Sequence, residues 1–219
     1  MSRLSGPGLA PHSGGAPRQL VVLLHGMGAD GYDLIGLAPA LAAYLPHAAF
    51  VAPNAPEPCD MAPFGHQWFS LQDRRPEALL RGVQAAAPVL DAFLDEELER
   101  HRLDDRHLAL VGFSQGTMMS LYVAPRRRAA MAAVLGFSGA LVGAHTLATE
   151  AISKPPMLLI HGDADEIVPV AALAAAVAGL QAAGIQVQSE VRPGLPHGID
   201  PEGIAHGGSF LAAAFADGG

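Results

Sequence analysis

Apolar residues in this chain fall into short, nearly unbroken runs separated by longer stretches with helical spacing. The runs "QLVVLLHG" from Gln19, "HAAFVAPNAP" from His47, "HLALVGF" from His107, "MAAVLGFSG" from Met131, "PPMLLIHG" from Pro155 and "IQVQSEVRP" from Ile185 read as strands. Between them the spacing predicts helices near Tyr32 to Leu45, from Pro76 to about Arg102 with a kink at Pro88, from Gln115 onward, from Ala171 to Ala183 and from Gly203 to Ala216. Near-continuous apolar strands that alternate with helices imply a parallel sheet covered on both faces, an α/β architecture. Residues 54–72 show no period and read as a long loop. Residues 1–17, rich in Gly, Pro and Ser, read as a flexible arm ahead of a single domain over 18–219.

Composition narrows the function classes. Half of the 219 residues are hydrophobic and 16% are charged, which excludes a disordered chain. A formal net charge of -8 argues against nucleic acid or an anionic membrane as partner. The one basic run, Arg126 to Arg128, reads as a solvated helix end. A single cysteine, Cys59, rules out an internal disulfide and suits a reducing compartment. The N-terminus has no apolar core of the signal-peptide kind, and the apolar stretch Ile167 to Leu180 is too short to span a bilayer. The expectation is a cytoplasmic protein with no stable membrane insertion, its oligomeric state left open.

The chemistry centres on "LALVGFSQG", where a strand runs into Ser114 with Gly112 and Gly116 two residues to either side. In parallel sheets, function collects at the carboxyl ends of strands. A serine at that junction sits in a sharp turn whose neighbours must be small, and the following helix aims its first N–H groups at an anion formed beside the hydroxyl. A helix N-cap serine with two incidental glycines accounts for the same residues. A serine nucleophile needs a base and an orienting acid, in chain order Ser, then Asp or Glu, then His. "LLIHGDADEIVP" and "VRPGLPHGID" supply them after Ser114. His197 is the base candidate. His206 lies within a helical segment and His145 precedes the acid. For the acid, Asp163 and Asp165 compete, with Glu166 third.

Together "LLHGMGADG" (23–31), "QWFSLQ" (67–72), "GFSQG" (112–116), "HGDADEIVP" (161–169) and "HGI" (197–199) resemble the phospholipase/carboxylesterase family of the α/β-hydrolase fold, which includes the acyl-protein thioesterases. The resemblance runs from about Leu20 to the end of the chain. It implies a mostly parallel central sheet with helices on both faces and no large cap domain. It places the acid on Asp165, giving a Ser114, Asp165, His197 triad. It also assigns the oxyanion hole to the main-chain N–H groups of Met27 and Gln115, whose side chains would matter little. The expected activity is hydrolysis of a small-molecule or acyl ester (carboxylic ester, thioester or lysophospholipid) through an acyl-enzyme. A non-catalytic binding protein on the same fold is the alternative.

Other residues are assigned around that centre. His25 and His161 look like metal ligands but lack partners at ligand spacing, so no metal is expected and the two read as supports for the catalytic loops. No phosphate-cradling glycine motif is present, so no cofactor is expected. Trp68, with Phe64 and Met61 and to a lesser degree Phe69, is expected to form one wall of an acyl groove in the loop 54–72. Met118 and Met119 read as core behind the nucleophile. With no long cap evident, the groove should suit short-to-medium acyl chains.

Overall fold

The computed structural model describes residues 4–217. Its centre is a seven-stranded sheet of β1 (Gly8–Leu9), β2 (Gln19–Leu24), β3 (Ala48–Val51), β6 (Leu108–Phe113), β7 (Ala133–Phe137), β8 (Met157–Gly162) and β9 (Val187–Arg192), in the order β1-β3-β2-β6-β7-β8-β9. Every pairing is parallel except that of β1 with β3. A separate small hairpin, β4 (Glu57–Pro58) with β5 (His66–Gln67), organises part of the loop after β3.

The strands are apolar on both sides because both faces are covered. Leu20, Val22 and Leu24 point into one core with Leu108, Leu110, Val134, Met157 and Leu159, under α3 (Pro76–His101), α4 (Gln115–Val123), α5 (Ala144–Glu150) and α6 (Ala171–Ala182). The alternate residues Val21, Leu23, Ala109, Val111, Leu135 and Ile160 enter the opposite core, under α1 (Gly31–Leu34), α2 (Ala38–Ala42) and α7 (Pro201–Asp217). Among the described residues, no helix is long and apolar enough to cross a membrane.

The structure corrects several expectations. From Leu4 on, the supposed flexible arm is part of the fold: β1 pairs with β3, Leu4 is buried, and the Ala52 and Asn54 amides donate to the carbonyls of Pro7 and Ser5 at 3.0 and 2.9 Å. Gly6 packs so closely on the chain after β3 that a side chain there would meet the Ala52 carbonyl oxygen at 1.9 Å; residues 1–3 lie outside the described set. The helix expected over Tyr32–Leu45 breaks into α1, a 3-10 turn at Ile35–Leu37 and α2. Pro39 has no amide to continue the ladder to the Ile35 carbonyl, which instead accepts from Ala38. By contrast α3 runs unbroken through Pro88.

Of the basic run, only Arg128 is exposed as a solvated helix end would be. Arg127 is buried and reaches Asp91, Asp95 and Asp105, the last two at 2.7 Å, tying α3 to the segment before β6. Arg126 binds Glu150 at 2.5 Å and lies over the Tyr122 ring.

Candidate active site

Four loops meet at the carboxyl ends of the parallel strands β2, β6, β8 and β9. The turn after β6 holds Ser114 with φ 54 and ψ -115, a left-handed conformation that a non-glycine residue adopts only when its surroundings enforce it. They do so through contact. A side chain at Gly116 would meet the Leu24 carbonyl oxygen at 1.8 Å, and one at Gly112 would meet the Thr117 amide at 2.5 Å. The spacing of the two glycines is therefore a demand of β2 and α4 packing against the turn. The Ser114 amide donates to the Phe137 carbonyl at 2.9 Å, and its own carbonyl accepts from Met118 at 3.2 Å.

Of the competing carboxylates, Asp165 is the one that reaches His197. Its Oδ2 accepts from His197 Nδ1 at 2.7 Å, while Oδ1 accepts from the amides of Ile167 and Val168 at 2.9 and 2.8 Å. Burial pushes this carboxyl up. The hydrogen bonds from His197 and the two amides outweigh that effect and hold it below its ordinary value. Since a carboxylate only accepts, His197 carries its proton on Nδ1 and presents Nε2 as the free nitrogen. The ring stacks at a tilt on Phe113, 4.9 Å between centroids.

Asp163 accepts instead from the Gly194 amide at 2.6 Å and so anchors the loop that carries His197. Glu166 is exposed. His206, on α7, is an exposed partner of Glu190 at 2.6 Å, and His145 is exposed on α5. Ser138, at the end of β7, is buried with its hydroxyl on the Gly198 carbonyl at 3.4 Å, a second tie to the His197 loop.

The loop after β2 is built around His25. Its Nδ1 faces the Gly26 carbonyl at 2.7 Å and must donate, whereas Nε2 accepts from the Ala55 amide at 2.9 Å. The ring is thus neutral in one tautomer, and its burial lowers its proton affinity further. Trp68 Nε1 donates to the His25 carbonyl at 3.0 Å, and Gly28 and Ala29 exchange main-chain hydrogen bonds with His66, both at 2.8 Å. Met27 sits at the apex. Among the described residues, nothing accepts from its amide or from the amide of Gln115 at the start of α4. His161 plays the matching part beside Asp165: its Nε2 donates to the Val168 carbonyl at 2.8 Å and lies 3.3 Å from the Asp165 carboxylate.

Ser114, His197, Gly26 and Met27 all line one cavity of about 400 Å³. Its remaining walls differ from those expected. Trp68 is 1% exposed and belongs to the core under α3 and α4, too far inside to touch a ligand. Phe64 and Met61 are exposed on the hairpin loop and are absent from the cavity wall, and Phe69 is buried. The apolar wall is made by Leu71, Leu79, Met118, Ala140, Val168 and Pro169. Met118, expected as core, is buried in the core and also reaches the cavity wall, one helical turn beyond Ser114 on the same face. Leu79 was not legible as a wall residue, because only the packing of α3 beside α4 brings it there.

The side chain of Gln115 was the larger omission. It is fully buried, accepts from the Trp68 amide at 2.9 Å and donates to the Phe69 carbonyl at 2.7 Å. It therefore fastens the 54–72 segment to the helix that begins at the Ser114 turn. The side chain at this position matters as well as the main chain.

Comparison with known proteins places the fold and the sequence in a family. Residues 12–214 match the family model described as Phospholipase/Carboxylesterase. The chain is 28% identical over 183 residues to Esterase YpfH of Escherichia coli (strain K12), covering 84% of this chain and 77% of that protein. It is 26% identical over 211 residues to Acyl-protein thioesterase 1 of Gibberella zeae, covering 87% and 88% of the two chains. The crystal structure of esterase PE8 superposes with a TM-score of 0.92 at 43% identity, over 97% of this chain and 100% of that one. With a central parallel sheet and a family match over residues 12–214, the chain belongs to the phospholipase/carboxylesterase family and has the α/β-hydrolase fold.

Proposed function

We propose that this protein hydrolyses carboxylic esters, oxygen esters or thioesters, through an acyl-enzyme on Ser114. The observation that carries the reading is the Asp165–His197 hydrogen bond of 2.7 Å, with His197 and the strained Ser114 lining a common, largely apolar cavity. In the first half-reaction Ser114 Oγ attacks the acyl carbonyl carbon while His197 Nε2 takes the hydroxyl proton. The Nδ1–H bond to Asp165 holds the ring in the required tautomer and stabilises the imidazolium. The carbonyl oxygen becomes an oxyanion that accepts from the free amides of Met27 and Gln115, each contributing about 3 kcal/mol to the barrier reduction. Collapse expels the alcohol or thiol, which takes the proton from His197. Water then repeats the sequence on the acyl-enzyme and releases the acid.

The Ser114 hydroxyl has no hydrogen-bond partner among the described residues, and the Ser–His contact is expected to tighten only around a substrate. The names of the esterase and thioesterase relatives support the same reaction class. A lysophospholipid substrate fits the chemistry equally, because the headgroup half need not enter the cavity.

A fluorophosphonate probe tests the reading. It should label Ser114 alone, and Ser114→Ala should abolish turnover of nitrophenyl esters while leaving the melting temperature near that of the parent. Labelling at Ser138 or Ser70, or full activity in the alanine variant, would overturn the assignment. Comparing oxygen esters with acyl thioesters of equal acyl length then ranks the two substrate types.

A further inference from the structure

Apart from His197, the wall of the Ser114 cavity carries a single ionisable side chain, Arg74. It is exposed, and among the described residues it has no ion-pair or hydrogen-bond partner. Its neighbour Asp73 does not serve as one: that carboxylate is taken by Arg75 at 2.6 Å, an interaction that draws it down to about 2. The rest of the wall beside it, Leu71, Leu79 and Met118, is hydrocarbon. In a chain with a net charge of -8, the permanent charge carried by the lining side chains is therefore positive and without an ion-pair partner among the described residues.

From this geometry, and resting on the acyl-enzyme reading above, we propose that the preferred substrates carry an anionic group, such as a carboxylate, at the far end of the acyl chain. The hydrocarbon wall takes the methylenes and Arg74 takes the terminal anion. A guanidinium offers a planar pair of donors that match a carboxylate. A neutral acyl chain gains nothing from it. The rival arrangement is an Arg74 that lays its stem along the wall and keeps its head in water for solubility alone.

The two are separated by the ratio of kcat/KM for the nitrophenyl half-ester of adipic acid to that for nitrophenyl hexanoate, which have equal chain length. The parent ratio should exceed one. Arg74→Gln should lower it roughly three- to tenfold, in line with a partly exposed but bidentate charge pair. Arg74→Lys should retain part of it, Arg74→Glu should drive it below one, and added salt should shrink it in the parent while leaving the Arg74→Gln ratio unchanged. A half-ester series from succinate to suberate locates the optimum length.

If both esters turn over and the ratio ignores Arg74, the proposal is wrong while the esterase reading stands. If neither ester turns over, the esterase reading fails. Calorimetric binding of monomethyl adipate, which keeps one terminal carboxylate, and of neutral methyl hexanoate to Ser114→Ala protein, with and without Arg74→Gln, then decides the anion site by itself. A preference for monomethyl adipate that disappears with Arg74→Gln upholds the site, and equal binding refutes it.

Discussion

Replacing Gln115 with leucine isolates the contribution of a residue whose main chain alone seemed to matter. Leucine has a similar volume, so little cavity forms, but both polar ends of the amide vanish. The Trp68 amide loses its acceptor at 2.9 Å and the Phe69 carbonyl its donor at 2.7 Å. All three residues are buried, so water cannot replace either partner. An unpaired buried backbone group costs about 1–3 kcal/mol, and two give about 2–6 kcal/mol. For a chain of this size each kcal/mol lowers the melting temperature by about 2–4 °C, so a fall of about 5–20 °C is expected.

Urea melts with an unchanged m-value are the proper assay, since they show that the folded state alone has altered. Activity should fall as well, because Trp68 supports the His25 carbonyl at the base of the Met27 loop. Gln115→Glu adds a signed control. A buried carboxyl facing the Phe69 carbonyl favours its protonated form, which alone can donate. Its folded-state proton affinity is thus raised, and its stability relative to the parent should be best at acid pH and decline as pH rises. A Gln115→Leu protein that melts within about 1 kcal/mol of the parent would refute the reasoning, since it leaves less than the smallest estimate for two orphaned groups.

Trp68→Ala should destabilise the fold by about 3–5 kcal/mol in denaturant melts, and substitution at Met118 or Leu79, rather than at Trp68, should reshape the acyl chain-length profile. Asp165→Asn should lower kcat by orders of magnitude, whereas Asp163→Asn retains an oxygen for the Gly194 amide and should lose less than tenfold in kinetics with nitrophenyl esters. Because the Asp165 carboxyl is held below its ordinary value, its contribution to stability is complete above the unfolded carboxyl pKa of about 4 and is lost as pH falls through the lower folded value. The stability gap between parent and Asp165→Asn should therefore narrow as pH falls below about 4. Arg127→Met leaves Asp91, Asp95 and Asp105 facing one another and should cost about 2–4 kcal/mol, reduced from the fully buried case because Asp91 and Asp95 are largely in water; chemical melts at low and high salt should show the loss shrinking as repulsion is screened.

Much of this architecture is written in local pattern. A strand covered on both faces must be apolar at every position, so β2, β6, β7 and β8 stand out from their neighbours. Parallel strands need crossover helices, and their carboxyl ends gather the loops, so Ser114, Asp165 and His197 could be placed on one edge of the sheet from chain order and motif spacing. The glycines around Ser114 were legible because their cause, a turn with no room for a side chain, recurs wherever a strand enters a helix in this way.

Other features depend on contacts between segments distant in sequence, and those were decided only by the tertiary structure. The same Gly- and Pro-rich composition suits a flexible arm or an edge strand, and only the free edge of β3 selects the second. An aromatic in a loop without periodicity suits a pocket wall or a core plug. Trp68 became core because Gln115 and His25, 47 and 43 residues away in the sequence, offer partners for its two N–H groups. A basic run looks solvated until three carboxylates from α3 and the segment before β6 converge on Arg127. Between Asp163 and Asp165 the sequence offers two equivalent carboxylates in one turn. The family resemblance pointed to Asp165, and the physical reason lies in the tertiary structure: the loop after β9 brings His197 within 2.7 Å of that carboxylate while Asp163 takes the Gly194 amide, an arrangement set by the packing of the whole sheet.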